Sequence, residues 1–131
     1  MENMDKEFIR YLGIDWGEKR IGLSLGDNVT KTASPYKVVS GFKEVLDIVK
    51  EDEIKELVVG KPIFLSGREP DNVLFENFVN RLKTETVLPV TLVDERLTSK
   101  AADALDGSRK TKAQRDAIAA MLILQSYLDN T

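Results

Sequence analysis

The chain has 131 residues, enough for one ordinary domain to bury a core without disulfides, and its 19 basic against 22 acidic residues leave a net charge of −3. It contains neither cysteine nor histidine, which excludes thiolate and imidazole zinc sites, cysteine nucleophiles, serine–histidine hydrolases and histidine as a general base near neutral pH. Chemistry must therefore run mainly on carboxylates, and any phosphate-binding track must be a local feature of an acidic body.

The first residues, Met1 to Arg10, are polar, and the longest apolar stretches are strand-sized or amphipathic, so a cytoplasmic protein with no membrane partner is expected. Phe8 to Ile14 (FIRYLGI) predicts a strand ending at Asp15, and Arg20 to Leu25 (RIGLSL) a second, joined as a hairpin through Trp16-Gly17-Glu18-Lys19. Asn28-Val29-Thr30 matches a glycosylation sequon but reads as a turn. Thr30 to Val39 gives a weaker third strand, placed at an edge because Pro35 cannot donate to a ladder. In Phe42 to Asp52 the apolar residues Phe42, Val45, Leu46 and Val49 follow one helix face. Ile54 to Val59 reads as a strand buried on both faces and closed by Gly60 and Pro62. Phe75, Phe78, Val79 and Leu82 repeat the helical spacing, and Val90 to Val93 is a further strand running into Asp94-Glu95-Arg96. Thr98 or Ser99 can cap a short helix through Leu105, stopped by Asp106-Gly107, and Ala113 to Leu128 is a helix apolar enough to pack closely on a sheet. With no repeat or linker, residues 1–131 form a single mixed α/β domain.

Strands joined by crossover helices run parallel and bring their C-terminal ends to one rim, where open α/β sheets bind ligands. Asp15 ends the first such strand, Asp94-Glu95 ends the last, and Asp116 stands near the start of the final helix, so carboxylates far apart in sequence can converge. Clustered carboxylates repel one another unless a cation is shared, and their counterpart is a hard divalent ion, Mg²⁺ first, which supports phosphodiester hydrolysis without histidine. Each acid also has a plainer explanation: a turn residue for Asp15, an exposed ion-paired turn for Asp94-Glu95-Arg96, a favourable first-turn charge for Asp116. Whether Asp94 or Glu95 is the ligand, and how many ions are held, stay open. Gly13, Gly17 and Gly22 flank Asp15, and a glycine within a strand suggests that something approaches the backbone closely, a phosphate group being one candidate and a bulge or tight turn another. Ser108 to Arg115 (SRKTKAQR) supplies Arg109, Lys110, Lys112 and Arg115 without an acid, either a phosphate track or a solvated loop.

Four blocks, LGIDWGEKRIGLSLGD (Leu12 to Asp27), VVGKP (Val58 to Pro62), LVDERLTS (Leu92 to Ser99) and RDAIAAMLILQSYLD (Arg115 to Asp129), resemble in order and spacing the YqgF/RuvX family, over nearly the whole chain. The resemblance implies a ribonuclease H-like fold, with a five-stranded mixed sheet in the order 3-2-1-4-5 and helices on both faces. It also implies a bacterial cytoplasmic nuclease that processes the 5′ end of precursor 16S ribosomal RNA or resolves Holliday junctions. By position it assigns Asp15, Glu95 and Asp116 as the acidic, metal-holding and catalytic set for Mg²⁺ or Mn²⁺. Arg20 and Arg96 become phosphate or structural partners, and Lys61 an added phosphate contact or a solvated lysine. The partner is nucleic acid, either precursor rRNA or branched DNA, and the chain is a monomer or a weak homodimer. Relative to the family pattern, Trp16 replaces an aliphatic residue, Lys61 a leucine, and Ser66-Gly67-Arg68-Glu69 lacks an aspartate before its glycine. Two readings compete: an ATPase-like phosphate-binding domain, since that superfamily shares the Asp-Gly hairpin, and a nucleic-acid-binding module that does not cut.

Overall fold

Strand β1 (Arg10–Asp15) lies at the centre of the sheet, because Leu12 and Ile14 alternate with Tyr11 and Gly13 and all of them are buried. The computed structural model describes residues 7–61, 73–94 and 111–131. After β1 come β2 (Ile21–Asp27), β3 (Ser34–Val39), α1 (Phe42–Glu51), β4 (Glu56–Lys61), α2 (Val73–Thr86), β5 (Val90–Asp94) and α3 (Lys112–Asp129). The strands form one sheet in the order β3-β2-β1-β4-β5. β1, β2 and β3 pair antiparallel as a meander, whereas β1, β4 and β5 are parallel. The order and the mixed pairing are those expected from the sequence.

Each face of the sheet has its own helical cover. Leu12, Ile14, Leu23, Leu57 and Val59 pack with Val45, Ile48 and Val49 of α1 and with Phe75, Phe78, Val79 and Leu82 of α2. On the other face Tyr11 and Val58 meet Ile123, Leu124 and Leu128 of α3. Hence odd-numbered positions of β1 face α3 and even-numbered ones face α1 and α2.

Several local expectations need adjustment. Gly60, read as a terminator, sits within β4, which continues to Lys61 and pairs there with β5. Pro35 is accommodated at the edge, as expected, and the β2–β3 register shifts beside it, between Leu23 and Ser24. Asn28-Val29-Thr30 is a turn, held by Asp27 Oδ1 accepting the backbone N–H groups of Val29 (2.9 Å) and Thr30 (2.7 Å). The N–H of Thr30 is the main reason the Asp27 carboxyl sits below the usual aspartate range. The short helix expected after Thr98 or Ser99, with its Asp106-Gly107 stop, lies outside the described residues. Among those residues, no helix is long and apolar enough to cross a membrane.

α3 is fixed at its start by a reciprocal cap. Thr111 Oγ1 accepts the Gln114 backbone N–H at 3.0 Å while Gln114 Oε1 accepts the Thr111 N–H at 2.8 Å. Two otherwise orphaned donors are thereby satisfied. Thr111→Ala is expected to lower stability by about 1 kcal/mol, measured by urea denaturation, and an unchanged midpoint would show that the start of α3 is held by packing alone.

Candidate functional site

The site begins with a backbone contact. In the β1–β2 ladder Asp15 is the register partner of Gly22, so both face the same side, the side covered by α3. A Cβ added to Gly22 would collide with the backbone carbonyl of Asp116 and lie 3.0 Å from the Asp116 Cβ. Gly22 thus removes the side chain that would otherwise keep α3 away, and it brings the first turn of α3 down beside the end of β1. The backbone of Asp116 thus lies against the residue that pairs with Asp15, although about a hundred residues separate the two acids in sequence. The close approach suspected at Gly22 is therefore real, but the approaching group is the helix backbone of Asp116 and not a phosphate.

The same device continues along the strand. Gly13 would meet Leu124 Cβ at 2.8 Å and the Ala120 carbonyl oxygen at 2.9 Å if it carried a Cβ. Ser24, fully buried, donates its hydroxyl to that Ala120 carbonyl at 2.8 Å, so its polar atom is satisfied inside the interface. Gly22, Ser24 and Gly26 alternate on one face of β2, and this run of small residues at a spacing of two was the sequence signal for the sunken helix. The sequence reading of Gly13, Gly17 and Gly22 weighs a phosphate against a bulge or tight turn, and a helix backbone is neither.

Arg20, at the end of the hairpin turn, donates Nε to Asp116 Oδ2 at 2.7 Å. It therefore enters the site as a structural partner of an acid, the second of the two roles proposed for it. The pair is half exposed, 42% for Arg20 and 24% for Asp116, so its value lies in orienting the carboxylate more than in stability. Orientation is what a ligating carboxylate needs from its neighbours.

The remaining candidates are distributed unevenly. Lys61 and Asp94 are register partners at the ends of β4 and β5 and share one face of the sheet. On β5, Val93 packs on the α3 side and Val90 on the α1–α2 side, so Asp94 faces α1 and α2, away from Asp15 and Asp116. Lys112 opens α3, and Arg115 is exposed in its first turn. Glu95, Arg96, Arg109 and Lys110 lie outside the described residues. Among the described residues, no three carboxylates are grouped closely enough to hold an ion. Trp16, beside Asp15, packs edge-on against Phe75 (5.7 Å between centroids) and tilted against Phe78 (6.2 Å), which explains how a bulky ring is tolerated there.

A meander leading into parallel strands, with an acid ending the central strand and a helix crossing the sheet beside it, defines a ribonuclease H-like domain. Thermus thermophilus RuvC, solved in complex with a Holliday junction substrate, has this fold: the TM-score is 0.60 at 15% identity, over 93% of this chain and 94% of that one. The family model described as "RuvX: Holliday junction resolvase" matches residues 9–130, and the chain belongs to this nuclease family. A protein of Roseiflexus sp. (strain RS-1), described as "Putative pre-16S rRNA nuclease", is 33% identical over 97% of this chain and 99% of its own length. One of Methylobacillus flagellatus with the same description is 39% identical over 90% of this chain and 89% of its own.

Proposed function

We propose that this protein is a metal-dependent phosphodiester hydrolase that cuts structured nucleic acid, with Asp15, Glu95 and Asp116 as its catalytic acids. The observation that supports the reading is the contact through Gly22, which lays the Asp116 backbone against the register partner of Asp15 on the α3 face. The facing of Asp94 toward α1 and α2, away from Asp116, counts against it as the third acid, and the family resemblance assigns that place to Glu95. Such a set of carboxylate oxygens suits Mg²⁺ or Mn²⁺ better than a soft metal. Bound there, the ion would activate water and stabilise the leaving oxygen. The chain's own work is to hold the acids in place: β1 fixes Asp15, the Gly22 contact sets the depth of Asp116, and Arg20 sets its orientation.

The substrate proposed is precursor 16S rRNA, because relatives matched over nearly their full length are described as "Putative pre-16S rRNA nuclease"; processing at the 5′ end and in the cytoplasm follows from the family resemblance. The second reading is Holliday junction resolution, favoured by the family description and requiring paired sites on a symmetric junction. A monomer or a weak homodimer fits the first, a dimer the second. One preparation, given a precursor RNA end and a synthetic four-way junction with Mg²⁺ and again with EDTA, separates the two. Cleavage of the RNA alone is expected, and cleavage of neither would reject the hydrolase reading.

The basic strip makes its own prediction. If Arg109, Lys110, Lys112 and Arg115 follow the phosphates, neutralising Arg109, Lys110 and Lys112 together should flatten the slope of log affinity against log salt by about 2 to 3. An unchanged slope would move the track elsewhere.

A further inference from the structure

Resting on the nuclease reading above, we infer that a groove beside Asp15 is a stacking subsite for one unpaired base of the strand being cut. The groove has a volume of about 270 Å³ and lies between the β1–β2 turn, the start of α1 and one side of α2. Trp16, Phe42 and Phe78 line it, with Glu18, Ser40, Asn77 and Arg81 as its polar side chains. Trp16 directly follows Asp15, and its ring packs with the α1–α2 core, so groove and carboxylates occupy opposite faces of one rim. A strand that lays a phosphate over Asp15 can carry the adjoining nucleotide across that rim.

The chemistry of the groove suits a base and not a phosphate. Its rings are held by their neighbours: Phe42 stands edge-on to Phe78 at 5.8 Å, and Trp16 leans on Phe75 and Phe78. Little ordering is left to be done when a flat ligand enters. The Arg81 guanidinium carbon lies 4.0 Å from the Phe42 ring centroid while its Nε and Nη2 each reach Glu85 at 3.2 Å. Indole faces and guanidinium planes are the groups on which proteins stack unpaired bases. Anion binding is disfavoured, because Glu18 lines the groove, Glu85 neutralises Arg81, and Glu44 already accepts the Ser40 backbone N–H (2.9 Å) and hydroxyl (2.7 Å) at the start of α1. The volume is at the small end for ligand sites, enough for one flat ring system with hydrogen-bonding partners at its edge.

Trp16 is the only tryptophan, so its emission reports on the groove directly. The intact protein in EDTA, which prevents cutting, would be titrated with a short single-stranded RNA, its blunt duplex and a nucleoside monophosphate, with RNA binding followed in parallel by anisotropy. Saturable quenching by the single strand is expected, with little response to the duplex, whose bases are already stacked. Arg81→Gln, at a side chain 57% exposed, should keep the fold and weaken the quenching interaction by about 5-fold or more. RNA binding without a change in Trp16 emission would overturn the subsite, as would an unchanged affinity in Arg81→Gln. Equal quenching by the monophosphate would overturn it in favour of a free-nucleotide pocket. Cleavage by the same preparation with Mn²⁺ separates the two ideas: cutting without an emission response rejects only the subsite, and a response without cutting rejects only the nuclease reading.

Discussion

Asp15→Asn is expected to lower cleavage by on the order of 10³-fold or more while leaving the melting temperature unchanged or slightly raised. Asp15 ends a strand whose buried residues are Tyr11, Leu12, Gly13 and Ile14, and is itself only partly buried, so it contributes little to the core. The amide keeps the size and removes the charge, which reduces attraction for a divalent ion and relieves repulsion from Asp116. Steady-state cleavage across a Mn²⁺ titration, with calorimetric measurement of Mn²⁺ binding to the free protein, tests both halves. Asp116→Asn should behave alike, with an added loss of the 2.7 Å pairing to Arg20. Wild-type rates in Asp15→Asn would remove the proposed centre altogether.

The second large effect is expected at Gly22, a residue with no functional group. In Gly22→Ala the new methyl meets the Asp116 carbonyl, which belongs to a helix backbone and cannot rotate away. Overpacking of this kind costs about 1–3 kcal/mol, and a displacement of about 1 Å in a catalytic group can cost on the order of 100-fold in rate. Gly26→Ala is the control. Its methyl would touch Leu124 Cδ2, Leu128 Cδ1 and the Thr32 carbonyl at 3.1 Å, far from the acids and partly against flexible side-chain ends. It should reduce stability without reducing the turnover of the folded fraction. Denaturation midpoints and kcat for both variants give the comparison, and a Gly22→Ala protein with native kcat would mean that the depth of α3 does not set the site.

Much of this architecture was legible in the sequence because the core strands are hydrophobic on both faces. Leu57, Val58 and Val59 are consecutive and fully buried, as only an interior strand with helices on each side allows. The long helix was legible from the excess of apolar residues between Ala113 and Leu128, and the edge strand from Pro35. What escaped was the contact between elements. Arg20 and Asp116 are 96 positions apart, and no local pattern announces their pairing. Gly22 and Gly13 were correctly suspected of admitting something, but a ligand and a helix backbone demand the same missing side chain. Only the period-two run Gly22, Ser24, Gly26 distinguishes them, because a flat row of small residues fits a rod and not a point. The parity of β5 was also readable in principle, since Val93 and Asp94 must point oppositely, but choosing a face required knowing which one α3 covers.

That division of labour between the first strand and the far helix bears on how the protein comes into being. Asp15 is made early and Asp116 late, and among the described residues Tyr11 and Val58 gain their helical partners only when Ile123, Leu124 and Leu128 have been synthesised. A nascent chain halted before α3 therefore leaves those apolar residues without Ile123, Leu124 and Leu128 and lacks Asp116, one of the three proposed acids. On the proposed assignment of Asp116, cutting power arrives only with the closing helix, so an incompletely translated copy would be inert toward nucleic acid.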